Sequence, residues 1–121
     1  MASHFDVHVV TLPVVLTGAT EIPLMHLPTA GGGITVLDAD FLAVGTAVGG
    51  QLVTMSDAGT PAVSGTVGAF AGTVTGSATI PAPLASVSDG YVAGGEWIGY
   101  DQTSGTVTAG AFITLSYVMG R

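Results

Sequence analysis

Three histidines and eight carboxylates limit the places where this chain can do chemistry. His4, Asp6 and His8 alternate with Phe5 and Val7, so in a strand all three share one side. Side chains two apart on a strand lie roughly 6.5–7 Å apart at Cα, close enough for neighbours to share a transition metal. A polar strand side turned to solvent accounts for the same residues without an ion. Asp38 and Asp40 form a second pair on one face of an alternating stretch, able to ligate calcium or to work as acid and base. A calcium site needs further oxygens, and no acidic helix–loop–helix loop is present; an exposed or interface-facing strand end is the simpler reading. Glu96 beside Trp97 resembles an acid next to a sugar-stacking ring, although a tryptophan is more often a packing group. No Gly-x-Ser-x-Gly elbow accompanies the serines, histidines and aspartates. With no lysine anywhere, the phosphate loop that requires one is excluded. Gly31-Gly32-Gly33 precedes a strand rather than a helix, so it is not a dinucleotide loop. The reading is non-enzymatic, with no cofactor, while metal binding at His4/Asp6/His8 or Asp38/Asp40 stays open.

The charge inventory is the strongest constraint. Eight acids face a single base, Arg121, for a net charge of -7, and only 7% of the chain is charged. Ordinary soluble domains carry charge on about a quarter of their residues. Since 48% of the chain is hydrophobic, a solitary subunit would expose apolar patches without the charge that keeps surfaces apart. Much of this surface is therefore expected to be covered in the working state. Nucleic acids are recognised mainly by lysine and arginine, so binding to DNA or RNA is not expected, nor is binding to anionic membranes. No apolar run reaches the roughly 18–20 residues of a spanning helix. Membrane barrels are usually longer than this chain and are exported, whereas MASHFDVHVV does not read as an export signal. The absence of cysteine agrees with folding in a reducing cytoplasm.

The elements that must position these groups read as strands. Nineteen glycines and six prolines penalise long helices, and the abundant valine and threonine favour pleated, half-buried surfaces. His4 to Val10 alternates, with Phe5, Val7 and Val9 on one side. Thr20 to Leu27 is extended, and Pro23 and Pro28 make it an edge or a loop rather than a central strand. Ile34 to Val44 is the strongest strand, with Ile34, Val36, Asp38, Asp40 and Leu42 facing one way and Thr35, Leu37, Ala39, Phe41 and Ala43 the other. Gln51 to Ser56 follows a glycine turn as the return arm of a hairpin. Val63 to Val74 is strand material broken by glycines, and Ile80 to Pro83 is extended loop. Tyr91 to Tyr100 passes through Gly94-Gly95, Asp101 to Gly105 makes a turn, and Thr106 to Met119 closes the chain. These predict an all-β, single-domain β-sandwich, jelly-roll-like, with an immunoglobulin-like sandwich as the alternative. Residues 1–30 form an extended N-terminal arm or edge segment, and residues 31–121 the sandwich.

Two stretches, GGGITVLDADF at 31–41 and GEWIGYDQTSGTVTAGAFITLSYVMGR at 95–121, resemble small β-rich minor virion proteins of tailed bacteriophages. They cover under a third of the chain. The resemblance implies a capsid decoration, or cement, protein that bridges neighbouring shell subunits, commonly as a homotrimer. It would be made in the host cytoplasm and lie on the outer surface of the virion. Its partner is then the major capsid protein or another virion protein, and no catalytic residues carry over. On this reading residues 1–30 lie along the shell or a neighbouring subunit, anchored by Phe5, Val9, Leu12, Leu24 and Met25. Trp97 and Tyr100 are further interface candidates. A tail-fibre or baseplate module would instead turn Tyr91, Trp97 and Tyr100 toward a host glycan or another tail protein.

Overall fold

Short β-branched and aromatic runs, separated by glycine and proline, can bury their apolar sides only by pairing into sheets that stack on each other. A computed structural model describes residues 6–15, 21–44, 48–56, 60–70, 82–87, 90–105 and 109–120, and among these the chain does so. The strands are β1 (His8–Val14), β2 (Glu21–His26), β3 (Ile34–Val44), β4 (Val48–Met55), β5 (Val63–Phe70), β6 (Ala82–Val87), β7 (Tyr91–Val92), β8 (Trp97–Gly105) and β9 (Ala109–Met119). One 3-10 turn, Thr29–Gly31, is the only helical element among the described residues.

Four antiparallel pairs, β1 with β9, β2 with β8, β3 with β6 and β4 with β5, make a long two-stranded ribbon. The ribbon is rolled so that β9 also pairs β3 and β8 also pairs β4. The path of hydrogen-bonded neighbours is β1-β9-β3-β6-β5-β4-β8-β2, with β7 added to β3. This is a β-sandwich with jelly-roll winding: β1-β9-β3-β6 lies over β2-β8-β4-β5. The strand β6 ties the sheets together on one side by pairing both β3 and β5. On the other side β1 and β2 end the path. The extended N-terminal stretch is thus built into the sandwich, its described parts forming the two terminal strands.

Between the sheets lie Ile34, Val36 and Phe41 of β3, Leu52 of β4, Ile98 and Tyr100 of β8, and Ile113 and Leu115 of β9, all buried. Full burial of such side chains contributes about 1.5–3 kcal/mol each. The Phe41 ring stacks on Tyr100 at 5.1 Å and meets Phe70 at 5.5 Å. The Tyr100 ring lies over Gly50, where a Cβ would collide with it.

Four expectations change, and the two sides of β1 are settled. In β3 the register with β9 slips between Val36 and Asp38, a bulge that puts two residues against one and reverses the alternation beyond it. Ile34, Val36, Ala39 and Phe41 therefore point inward, while Leu37 and Asp38 are exposed; the two predicted faces are mixed. In β1 the core side is Val10, Leu12 and Val14, and Val7 and Val9 face out. The strand β4 does not return on β3 as a hairpin but crosses to the opposite sheet, between β5 and β8. Residues 101–105 continue β8 instead of turning, because β4 holds them in its ladder as far as Val48 opposite Gly105. Likewise Ala82 and Pro83 belong to β6, paired with Phe41 and Asp40.

Candidate interaction surface

The outer face of β1-β9-β3 is laid out by register. Val9, Ser116 and Asp38 make one cross-strand row; Thr11, Thr114 and Asp40 the next; Pro13, Phe112 and Leu42 the third. Thr11 and Thr114 hydroxyls lie 3.3 Å apart. The bulge in β3 turns Leu37 outward beside Asp38, and the Ala39 N–H donates to Asp38 Oδ1 at 2.8 Å, satisfying backbone where the ladder slips. Val9 and Val15 are 65% exposed, Leu37 48% and Phe112 42%. The result is a flat, pleated face with apolar groups around a threonine–serine centre and two carboxylates at one side. Among the described residues no lysine or arginine stands on it; the sole base, Arg121, lies outside them. Chemically, such a face can bury apolar area and accept hydrogen bonds from a partner's donors.

On the opposite outer face two apolar side chains are already covered. Val53 and Met55 share the register of Gly99 and Trp97 rather than of Ile98 and Tyr100, yet both are buried. Met55 lies over Gly99, where a Cβ would strike its sulfur, and the Trp97 indole meets His26 at 4.8 Å between ring centres. Trp97 is set by the turn before it. Gly95 at φ 90° adopts a backbone that L side chains rarely reach, the Glu96 N–H donates to the Ala93 carbonyl (3.2 Å), and Leu27 N–H donates to the Glu96 carbonyl (2.9 Å). The Glu96 carboxylate accepts from Ser64 Oγ at 3.2 Å and from the Ala93 N–H at 3.3 Å, which engages it in holding the turn.

The predicted interface residues separate accordingly. Val9 stands exposed on the open face. Leu12, Leu24 and Met25 are half-buried, and Leu24 and Met25 pack against the core. Trp97 is half-buried against His26, and Tyr100 is a fully buried core residue, which removes it from any surface. Phe5 lies outside the described residues, as does His4. Burial and the adjacent Asp101 carboxylate push the Tyr100 phenol from 10.0 up to about 12, and its hydroxyl has no hydrogen-bond partner. Of the candidate metal ligands, Asp6 is exposed and His8 stacks on Tyr117 at 5.3 Å. Among the described residues no three His, Cys, Asp or Glu side chains gather to hold a metal ion. The residues that sequence reasoning missed are Leu37 and Phe112. The alternation of Ile113 and Leu115 places Phe112 on the opposite side, a usable signal; the bulge that exposes Leu37 leaves none. No protein-family model, curated protein or solved structure matches the chain.

Proposed function

We propose that this chain is a non-catalytic structural protein of the virion, decorating the outside of a phage capsid and bridging neighbouring shell subunits. The observation that supports this most is the outer face of β1-β9-β3, apolar at its margins and, among the described residues, without a lysine or arginine. A chain with one base and a net charge of -7 cannot hold partners through its own lysines. Its contacts must come from apolar area, backbone edges and the acceptors of Asp38 and Asp40, which suit a partner rich in donors. An acidic protein also suits the outside of a shell better than an interior filled with DNA. A glycan-binding tail module has less to work with, since Tyr100 is in the core and Trp97 leans on His26.

The test is co-sedimentation with DNA-free shells of the phage that encodes the chain. Wild type pellets with the shells and raises their melting temperature, whereas Phe112→Asp and Leu37→Asp, both at exposed positions, stay in the supernatant. Wild type left in the supernatant, or variants that pellet equally, would overturn the reading.

A further inference from the structure

We propose that two copies of this chain join through the free edges of β1, antiparallel about a two-fold axis at Val9, making one continuous sheet across both subunits. This inference does not depend on shell binding and is tested on the purified protein alone.

The strand β1 ends the path and is hydrogen-bonded among the described residues only to β9. Its ladder runs from His8 opposite Tyr117 to Val14 opposite Ala111 without a slip, so the edge is straight. Natural proteins guard such edges with lysines, prolines, bulges or inward charges. The chain has no lysine, and the only guard within β1 is Pro13. At the other end of the path β2 carries Pro23, a register slip between Pro23 and Met25, and Glu21. One edge is guarded, and among the described residues the other is open.

Pro13 also fixes which backbone groups are offered. A proline in an edge strand turns its nitrogen away from the ladder. Backbone polarity alternates along a strand, so Val7, Val9 and Thr11 then present their N–H and C=O groups outward with Pro13. The close approach of the Thr11 and Thr114 hydroxyls fits the tighter, non-hydrogen-bonded pairing this requires between those strands. Centring a second copy on Val9 sets Val7 opposite the partner's Thr11, Val9 opposite the partner's Val9, and Thr11 opposite the partner's Val7. Each pair exchanges both backbone bonds, and Pro13 falls beyond the last of them.

Charge selects a second copy as the occupant. From Val7 to Val15 the segment reads VHVVTLPVV, with no carboxylate and no base, in a chain otherwise acidic. In this register the partner's Asp6 falls opposite Leu12, so no carboxylate faces another across the join, and a lysine-rich partner would find no carboxylate within the strip to pair with. A cyclic trimer joined by edge pairing would need β1 to meet a different edge of its neighbour, since head-to-tail rings use two different patches, and the other terminal strand, β2, is the guarded one. Pairing through β1 also places the open faces of both copies side by side, with Val9 at the centre.

Sedimentation velocity and cysteine cross-linking test this. Wild type forms a dimer whose dissociation constant falls as salt rises, because salt screens the repulsion between two acidic subunits. Val9→Lys, at an exposed site and checked for native near-ultraviolet dichroism, weakens the dimer by about tenfold or more. The chain lacks cysteine, so a single introduced thiol reports its own position. Val9→Cys oxidises to a disulfide-linked dimer, and Val15→Cys, equally exposed, does not. A wild-type monomer at high concentration, a trimer, a dimer indifferent to Val9→Lys, or equal cross-linking from both cysteines would each overturn the proposal.

Discussion

Both β1 and β2 close the strand path, and both bring half-buried aliphatic side chains to the core. They differ in how their neighbours receive them. The seven pairs of β1 with β9 run without interruption, whereas β2 slips on β8 between Pro23 and Met25. Beneath β2 the backbone approaches closely at Gly99, where a Cβ would come within 2.8 Å of the Ile22 carbonyl oxygen. Beneath β1 the matching neighbours are full side chains, Phe112, Thr114 and Ser116. One terminal strand is fitted down onto a glycine and sealed against further pairing. The other is a plain ladder rung that no second described strand pairs. An edge therefore becomes adhesive through the absence of irregularities, not through any special group.

The largest effect comes from disturbing the fitted side. Gly99→Val drives a side chain into Met55 and the Ile22 carbonyl, and should cost about 3 kcal/mol or more in urea denaturation. Thr114→Val, the equivalent change under β1, should stay within about 0.5 kcal/mol. Next is the contrast within β1 itself. Val14→Ala, at a residue 1% exposed, should cost about 2 kcal/mol, and Val9→Ala almost nothing; equal losses would contradict the assignment of the two sides. Tyr100→Phe removes a buried hydroxyl that has no partner, and should stabilise by up to about 1 kcal/mol. Its signature is in pH. The phenol ionises near 10.0 in the unfolded chain and near 12 in the fold, so stability present below pH 10 is lost as pH climbs from 10 to 12. Denaturation midpoints measured across that window should fall for wild type and hold more nearly level for Tyr100→Phe. The smallest change in stability, within about 0.5 kcal/mol, is expected for Pro23→Val. That variant restores an N–H to β2 and should raise self-association seen by light scattering, making the two edges more alike.

Much of the architecture was legible because it rests on local chemistry. Glycine and proline spacing marks the strand breaks, and Pro23 rules out a central strand because a proline cannot donate to a ladder; that the segment is an edge strand and not a loop is settled by its pairing with β8. What failed did so where a single residue changes a count. Alternation in Ile34–Val44 is a sound rule until the chain gains one residue at Leu37, and nothing in the composition there announces the bulge. The Asp101–Gly105 stretch has the residues of a turn, yet the ladder with β4 overrides them. A glycine-marked connection after Val44 serves equally for a hairpin or for a crossing between sheets, and only packing decides. Tyr100 looked like a surface aromatic, and it is interior because Gly50 leaves room for its ring. The open face is half visible in the sequence: Val9 stands out as a contact, while nothing singles out Phe112, and simple alternation groups Leu37 with Ala39 and Phe41, which point inward.

The rolled ribbon has a consequence for the order in which the molecule can form. Its pairs nest: β4 with β5 innermost, then β3 with β6, β2 with β8 and β1 with β9. Met55 meets Val63 across a short loop, whereas Thr11 waits for Thr114, 103 residues later. Loop closure favours the shortest span first, and structures dominated by such distant pairings fold slowly. A chain emerging from the ribosome therefore offers its first strand long before the partner for it exists. Pulse-labelled hydrogen exchange should find the amides of Gln51–Met55 protected first and those of β1 last. Until the final strand is made, β1 is bare on both sides, and the same uncharged valines that close the finished sheet are a hazard to the unfinished one.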